Sequence, residues 1–263
     1  MAQLQRLIIA PTQQQDCQIF LTEEQQHYLL RVLRLRDGDR FIAVTANGKW
    51  LLSQLTGKSA QVIEMLSVQT ELPVEITLMV ALPKNGFDEV VRQTTELGVS
   101  CIVPVLSDRT LLHPSSQKLE RWRRIAQEAA EQSERQLVPT ILEPVPLTTA
   151  LSSFIGDYAY ICVARGESSH LLRSLQDSIV KTQNSVRAGL SEILADSEIL
   201  PENPPLQTQT SIAIATGPEG GWTAAEVAEA IALGFHPVSL GRRILRAVTA
   251  PFVALSLVAA AWE

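Results

Sequence analysis

From Leu72 onward the chain changes its period, and that change limits the available folds more than any other feature of the sequence. Short apolar runs at Val74–Leu82, Cys101–Val105, Tyr158–Ala164 and Ser211–Thr216 alternate with segments whose apolar residues recur at helical spacing. The helical segments are Phe87–Leu97, about Gln117–Gln132 and Thr223–Leu233, followed by a short strand at Pro237–Leu240 and a last helix from about Thr249. Gly98 stops the first of these helices, and Thr223 with Glu226 forms a capping box at the start of the third. Thr249 is expected to cap the last helix, with Pro251 in its first turn. Strands alternating with helices in this way predict an α/β fold, a largely parallel sheet covered by helices.

The first seventy residues have a different texture. Thr22 and Gln25 predict a capped helix that buries Leu29, Leu30 and Leu33 and ends at Asp37-Gly38-Asp39. Arg40–Ala46 alternates like a strand, Asn47-Gly48 is a hairpin turn, Lys49–Thr56 returns, and Ala60–Leu66 adds a third strand. Short strands on tight turns predict a small β-barrel over 1–70, separate from an α/β domain over 73–263. The polar, proline-rich stretch over 178–210 reads as a surface insertion in the second domain.

Composition narrows the function classes. A net charge of −6 argues against a protein that coats nucleic acid without specificity, because phosphate binding needs clustered Lys and Arg. The charge is uneven, however: up to Thr70 there are seven basic residues against six acidic ones, so a local basic face is compatible with an acidic chain. Cys17, Cys101 and Cys162 are isolated, as are the four histidines, which predicts reduced thiols and no metal site. With no apolar run of membrane-spanning length and no charged leader before an apolar core, the expectation is a cytoplasmic protein.

Four segments can carry chemistry. In TGPEGGWTAAE, Thr216–Glu226, a buried strand runs through a glycine-rich turn into a helix N-terminus, which is either a ligand-binding geometry or simply a tight turn. It matches neither the dinucleotide nor the P-loop pattern, and Glu219 disfavours a phosphate. A cationic or zwitterionic ligand suits it better. In LGRRILRAVTA, Leu240–Ala250, the apolar pair Ile244-Leu245 stands among Arg242, Arg243 and Arg246. That pair can wall the pocket of a flat heterocycle such as adenine while an arginine faces a polyanion; the competing reading is an anchored loop with solvated arginines. In ALPKNGFDEVVRQTTELGV, Lys84 closes a strand, and Arg92 and Glu96 are spaced as a surface pair. In EAAEQSERQLVP, Gln132 and Arg135 lie near a helix end, whereas Arg121, Arg123 and Arg124 read as a solvated face.

Together these segments resemble the RsmE family, SPOUT-superfamily methyltransferases that act on N3 of a uridine in 16S ribosomal RNA. The resemblance is carried by HYLLRVLRLRDGD, PKNGFDEVV with TTELGV, EQSER, TGPEGGW and LGRRILR, in this order and over nearly the whole chain. It implies a PUA-like RNA-binding barrel, then a SPOUT α/β domain with a trefoil knot, in a homodimer acting on the 30S subunit. It also implies that S-adenosylmethionine is held by Thr216, Gly217, Pro218, Glu219, Gly220 and Gly221 together with Leu240, Gly241, Ile244, Leu245 and Arg246.

A uracil losing its N3 proton needs a cation for the developing anion, for which Arg246 and Arg135 are expected, with Lys84 behind them. Glu219 is expected either as the base or as the residue that orients the loop. Arg6, Arg31, Arg34 and Arg36 are expected on phosphates, and Lys84 and Arg92 elsewhere on the RNA. One position departs from the family's pattern: Val248 stands where an acidic residue is usual. Two alternatives remain, a SPOUT methyltransferase for another RNA position and an RNA-binding protein without activity.

Overall fold

A computed structural model describes residues 4–110, 114–154, 156–181 and 210–263. The chain divides into two compact units, one of residues 1–71 with 124–138 and one of 72–123 with 139–263. Among the described residues no helix is long and apolar enough to cross a membrane.

The first unit is a six-stranded sheet. Its strands are β1 (Arg6–Ile9), β2 (Gln14–Gln15), β3 (Gln18–Phe20), β4 (Arg40–Thr45), β5 (Trp50–Thr56) and β6 (Ser59–Leu66), paired in the order β1-β4-β5-β6-β3-β2. Leu7 and Ile9 from one end of that order pack into the same core as Ile19 from the other, with Phe41 and Leu55 between them. A sheet whose two ends share a core must curl. Strand β4 alternates as expected, but between two apolar clusters: Phe41 and Ala43 enter this core, while Ile42 and Val44 enter a second cluster with Trp50. Between β3 and β4 stands α1 (Glu23–His27), capped by Thr22 and Gln25 as expected, and a π-helical turn over Tyr28–Val32 that buries Leu29.

Residues 124–138 complete this unit. Glu131 Oε1 accepts the Ile8 amide at 2.9 Å, Gln136 donates to the Gly48 carbonyl at 3.1 Å, and Arg6 pairs with Glu134 at 2.6 Å. The Glu71 carboxylate accepts from Arg135 Nη2 at 2.5 Å and from the Gln136 and Leu137 amides at 2.8 and 3.1 Å.

The second unit is an eight-stranded, wholly parallel sheet. It contains β7 (Val74–Ala81), β8 (Cys101–Leu106), β9 (Thr140–Ile141), β10 (Val145–Pro146), β11 (Tyr158–Cys162), β12 (Ser169–His170), β13 (Thr210–Thr216) and β14 (His236–Ser239). The order is β10-β8-β7-β13-β11-β14-β12, with β9 also on β8. Strands β7 and β13 are centrally placed and buried over most of their length, which is why they read as continuous apolar runs.

Five helices accompany the sheet: α2 (Phe87–Glu96), α3 (Ser116–Gln132), α4 (Leu147–Ser153), α5 over 171–181, and α6 (Ala224–Ala232); α7 (Thr249–Trp262) follows β14. On α2 the apolar face Phe87, Val90 and Val91 is buried, and Phe87 meets Trp122 at 4.4 Å between ring centroids. Helix α7 packs on α2, β7 and β13. Its N-cap is Val248, not the expected Thr249, because the Arg246 carbonyl already accepts the Thr249 and Ala250 amides and draws the chain into the helix one residue earlier. The expected insertion also begins too early. Ser178 lies within α5, is buried, and shares a 2.6 Å hydrogen bond with the Tyr160 hydroxyl. The remainder of that segment, 182–209, lies outside the described residues.

Candidate active site

Parallel strands place their C-terminal ends at one edge, so Ala81, Cys162, Thr216 and Ser239 end close together. At this edge the connections diverge. The chain leaves β7 through α2 to β8 on one side, and leaves β13 through α6 to β14 on the other, beyond β11. Such a switch point opens a crevice between loops that no strand fills.

Two recesses occupy the crevice. The first is walled by three segments of the chain. The turn after β13 contributes Gly217, Pro218, Gly221 and Trp222 to it; the end of β11 contributes Cys162, Val163 and Ala164. Its third wall is Leu240, Gly241, Arg243, Leu245, Ala247 and Ala250. The turn closes with the Gly221 amide on the Pro218 carbonyl at 2.8 Å, and Gly221 has φ +67°, a conformation side chains resist. Among the described residues, Thr216 Oγ1 and Trp222 Nε1 are buried at this turn with no hydrogen-bond partner. Orphaned buried donors of this kind mark a place where a polar ligand completes the network. Burial pushes the Cys162 thiol up to about 12, so it is an inert wall atom and no nucleophile.

The second recess is lined by Lys84, Asn85, Glu219, Ile244, Arg246 and Val248, and it shares Leu245 and Ala247 with the first. The two recesses thus adjoin along the segment after β14. Leu245 and Ala247 border both recesses, whereas Ile244 and Arg246 border the second alone. Glu219 Oε1 accepts the Lys84 amide at 2.9 Å and ties the turn after β13 to the end of β7.

The structure therefore brings Lys84, Glu219 and Arg246 together, and corrects several other expectations. Ile244 and Arg246 do not border the first recess. Thr216 is buried beneath the turn. Gly220 sits under Arg109, whose guanidinium donates to the Gly220 carbonyl; a Cβ there would meet Arg109 Cδ at 2.9 Å. Arg135, expected in a catalytic role, is 5% exposed and held by Glu71 in the first unit. Arg6 is likewise unsuited to phosphate: its side chain is 12% exposed, paired with Glu134 and stacked over Trp50 at 5.0 Å. Arg31, Arg34 and Arg36 are exposed, as expected of phosphate contacts. Arg92 pairs with Glu89 at 3.7 Å, not with Glu96.

Sequence reasoning missed Arg109 and Asp108, which follow β8. The Asp108 amide donates to Glu226 Oε1 at 2.9 Å and its carboxylate accepts from Thr223 Oγ1 at 3.3 Å, clasping the start of α6. No periodicity or motif in their own segment signals this. From the sequence Cys162 reads only as an isolated thiol; its place at the C-terminal end of a strand is the signal that points to the site.

Comparison with known proteins agrees with this architecture. An RNA methyltransferase domain family matches residues 70–259, and an RNA methyltransferase PUA domain family matches 21–64. The chain is 44% identical over 98% of its length to the ribosomal RNA small subunit methyltransferase E of Synechocystis sp., covering 78% of that protein. It is 32% identical to the protein of the same name from Bacillus subtilis, covering 97% of this chain and 96% of the relative. Among solved structures, the ribosomal RNA small subunit methyltransferase E from Neisseria gonorrhoeae bound to S-adenosyl methionine aligns over 99% of this chain and 98% of its own, with TM-score 0.78 and 26% identity. With an RNA methyltransferase family spanning most of its length and relatives of one name matched end to end, the chain belongs to the ribosomal RNA small subunit methyltransferase E family.

Proposed function

We propose that this RNA methyltransferase carries a methyl group from S-adenosylmethionine to N3 of a uridine in 16S ribosomal RNA. The observation that carries the reading is this adjacency: two recesses that meet at Leu245 and Ala247 suit a transfer between two ligands held side by side. The first recess fits the cofactor. Leu240, Leu245, Ala247 and Ala250 offer an apolar wall to adenine, Arg243 a cation to the carboxylate, and Trp222 Nε1 an unpaired donor. When bound, S-adenosylmethionine supplies the electrophilic methyl.

The second recess then takes the uracil, aligned by its walls so that N3 faces the cofactor recess. We assign Glu219 Oε2 as acceptor of the N3 proton, with Oε1 on the Lys84 amide fixing the carboxylate. Arg246, on the same recess, stabilises the uracil anion as it forms. Val248 lines the same recess, and with Glu219 as the proton acceptor this reading needs no acidic residue at that position. In this reading residues 1–70 form the RNA-binding domain, with Arg31, Arg34 and Arg36 on phosphates, and the enzyme works as a cytoplasmic homodimer. The trefoil knot is supported by α7 returning from β14 to pack on β7 and β13, across the turn after β13.

Arg246→Ala tests the assignment. Single-turnover methylation of 30S subunits should lose about 3–4 kcal/mol of transition-state stabilisation. Cofactor affinity by calorimetry should hardly change, because Arg246 does not border the first recess. Near wild-type turnover would remove Arg246 from the mechanism. Mass mapping of 16S RNA from cells lacking the gene should show one unmethylated uridine, and an unchanged map would refute the proposed function.

A further inference from the structure

Ile244 presents a problem that the cofactor does not solve. It is 66% exposed, a large aliphatic side chain in the open on a segment where Arg242, Arg243 and Arg246 are exposed around it. Its neighbour Leu245 borders the cofactor recess; Ile244 does not. On its own recess it stands with Lys84, Asn85, Glu219 and Arg246. A phosphate would use the two cations but would be repelled by Glu219 and gain nothing from an isobutyl-sized apolar face. A peptide or lipid would use Ile244 but leave the cations without purpose. A planar heterocycle with carbonyl oxygens on its edge uses all of them: its face covers the aliphatic surface, its carbonyls accept from donors, and its N–H finds the carboxylate.

We propose that Ile244 is the platform on which the target nucleobase rests, a positioning residue for the RNA and no part of the cofactor wall. The inference rests on the assignment of the second recess to the RNA base. Enzymes that act on a base take it out of its stack, and an extruded ring needs a new apolar face to replace the lost one. Ile244 supplies that face next to Leu245, which borders both recesses, and the surrounding arginines and Lys84 complement the strand's charge. Glu219 accepts the proton that uracil carries on N3 and cytosine lacks, while Lys84 and Arg246 donate to the flanking carbonyls, so the recess favours uracil.

The test uses the full-length enzyme, 30S subunits from cells lacking the gene, and S-adenosylmethionine. Ile244→Ala should raise the KM for 30S subunits about five- to tenfold, the loss expected when most of one aliphatic contact is removed. The Kd for S-adenosylmethionine should stay within about twofold, because the first recess is untouched. Ile244→Phe should restore the 30S KM, since an aromatic ring stacks on a base at least as well. An unchanged 30S KM in the alanine variant overturns the proposal. So does a parallel rise in cofactor Kd, which would return Ile244 to the cofactor wall, or a change in oligomeric mass by sedimentation, which would mean that a second copy covers the side chain. A wild-type enzyme that binds no S-adenosylmethionine or leaves 30S subunits unmethylated would refute the proposed function itself, a failure distinct from these.

Discussion

The Glu71–Arg135 pair decides between a structural and a catalytic arginine, and its strength follows from its surroundings. Arg135 is 5% exposed; Glu71 retains 21% of its side-chain exposure. Beyond the arginine, the same carboxylate accepts the Gln136 and Leu137 amides. In Glu71→Ala the guanidinium is left buried without its counter-charge and two amides lose an acceptor. Breaking a buried pair costs about 3–5 kcal/mol, and the partial exposure of Glu71 places this case at the low end, near 3 kcal/mol. For a chain of this size each kcal/mol corresponds to about 2–4 °C, so the melting temperature should fall by roughly 6–12 °C. Arg135→Ala should cost less, because the amides and water still satisfy the carboxylate. The double variant should be less destabilised than the sum of the single ones by more than about 1 kcal/mol, the mark of direct coupling. Urea denaturation followed by circular dichroism measures all three. Single-turnover methylation at a temperature where each variant is folded completes the test. If Arg135→Ala keeps its stability and loses turnover, the structural reading is wrong and the catalytic one returns.

Two further outcomes follow from the first unit. Arg31→Ala with Arg34→Ala should weaken binding to 30S subunits and lower the slope of log affinity against log salt by about 1–2, leaving cofactor affinity unchanged; an unaltered slope would place the phosphates elsewhere. Glu131 is raised above its ordinary value, chiefly by burial, against the lowering effect of the Ile8 amide. A carboxyl raised in the folded state contributes stability below its unfolded pKa and loses it as pH rises through the folded pKa. Glu131→Gln should therefore gain on the wild type as pH rises from 4 to 7 and flatten the stability profile, provided its oxygen keeps the Ile8 amide; parallel profiles for the two proteins would sink the argument.

Where the deciding interaction was local, the sequence was a sufficient guide. Both capping boxes, Thr22 with Gln25 and Thr223 with Glu226, form as expected, and the strand–turn–helix at Thr216–Glu226 lines a recess. Where the partner lay far along the chain, it was not. Arg6 and Arg135 read from the sequence as RNA-binding and catalytic residues, because nothing near them in the chain reveals their Glu134 and Glu71 partners. The return of residues 124–138 to the first unit was hidden for the same reason, since one uninterrupted helical period runs through Ser116–Gln132. The splitting of Ile244 from Leu245 depends on the path of an irregular segment, which hydrophobicity cannot report. The recessed edge itself was legible, because strand alternation alone places loops together at the C-terminal ends of a parallel sheet.

The capping glutamate of α6 ties two places of the chain to one side chain. Glu226 Oε2 accepts the Thr223 amide at 2.7 Å and closes the helix, while Oε1 accepts the Asp108 amide at 2.9 Å and holds the loop after β8. A capping box elsewhere tolerates glutamine in this position, as α1 shows with Gln25. Here glutamine would offer a single accepting oxygen and a donor where the second must be, so it would keep the helix start or the neighbouring loop and release the other. Because that loop carries Arg109 onto Gly220, the freedom of position 226 to vary is set by the shape of a turn six residues upstream and by a segment more than a hundred residues away. A rule that elsewhere allows two residues admits one at this helix, and a variant library across the site would register position 226 as part of it although its side chain borders neither recess.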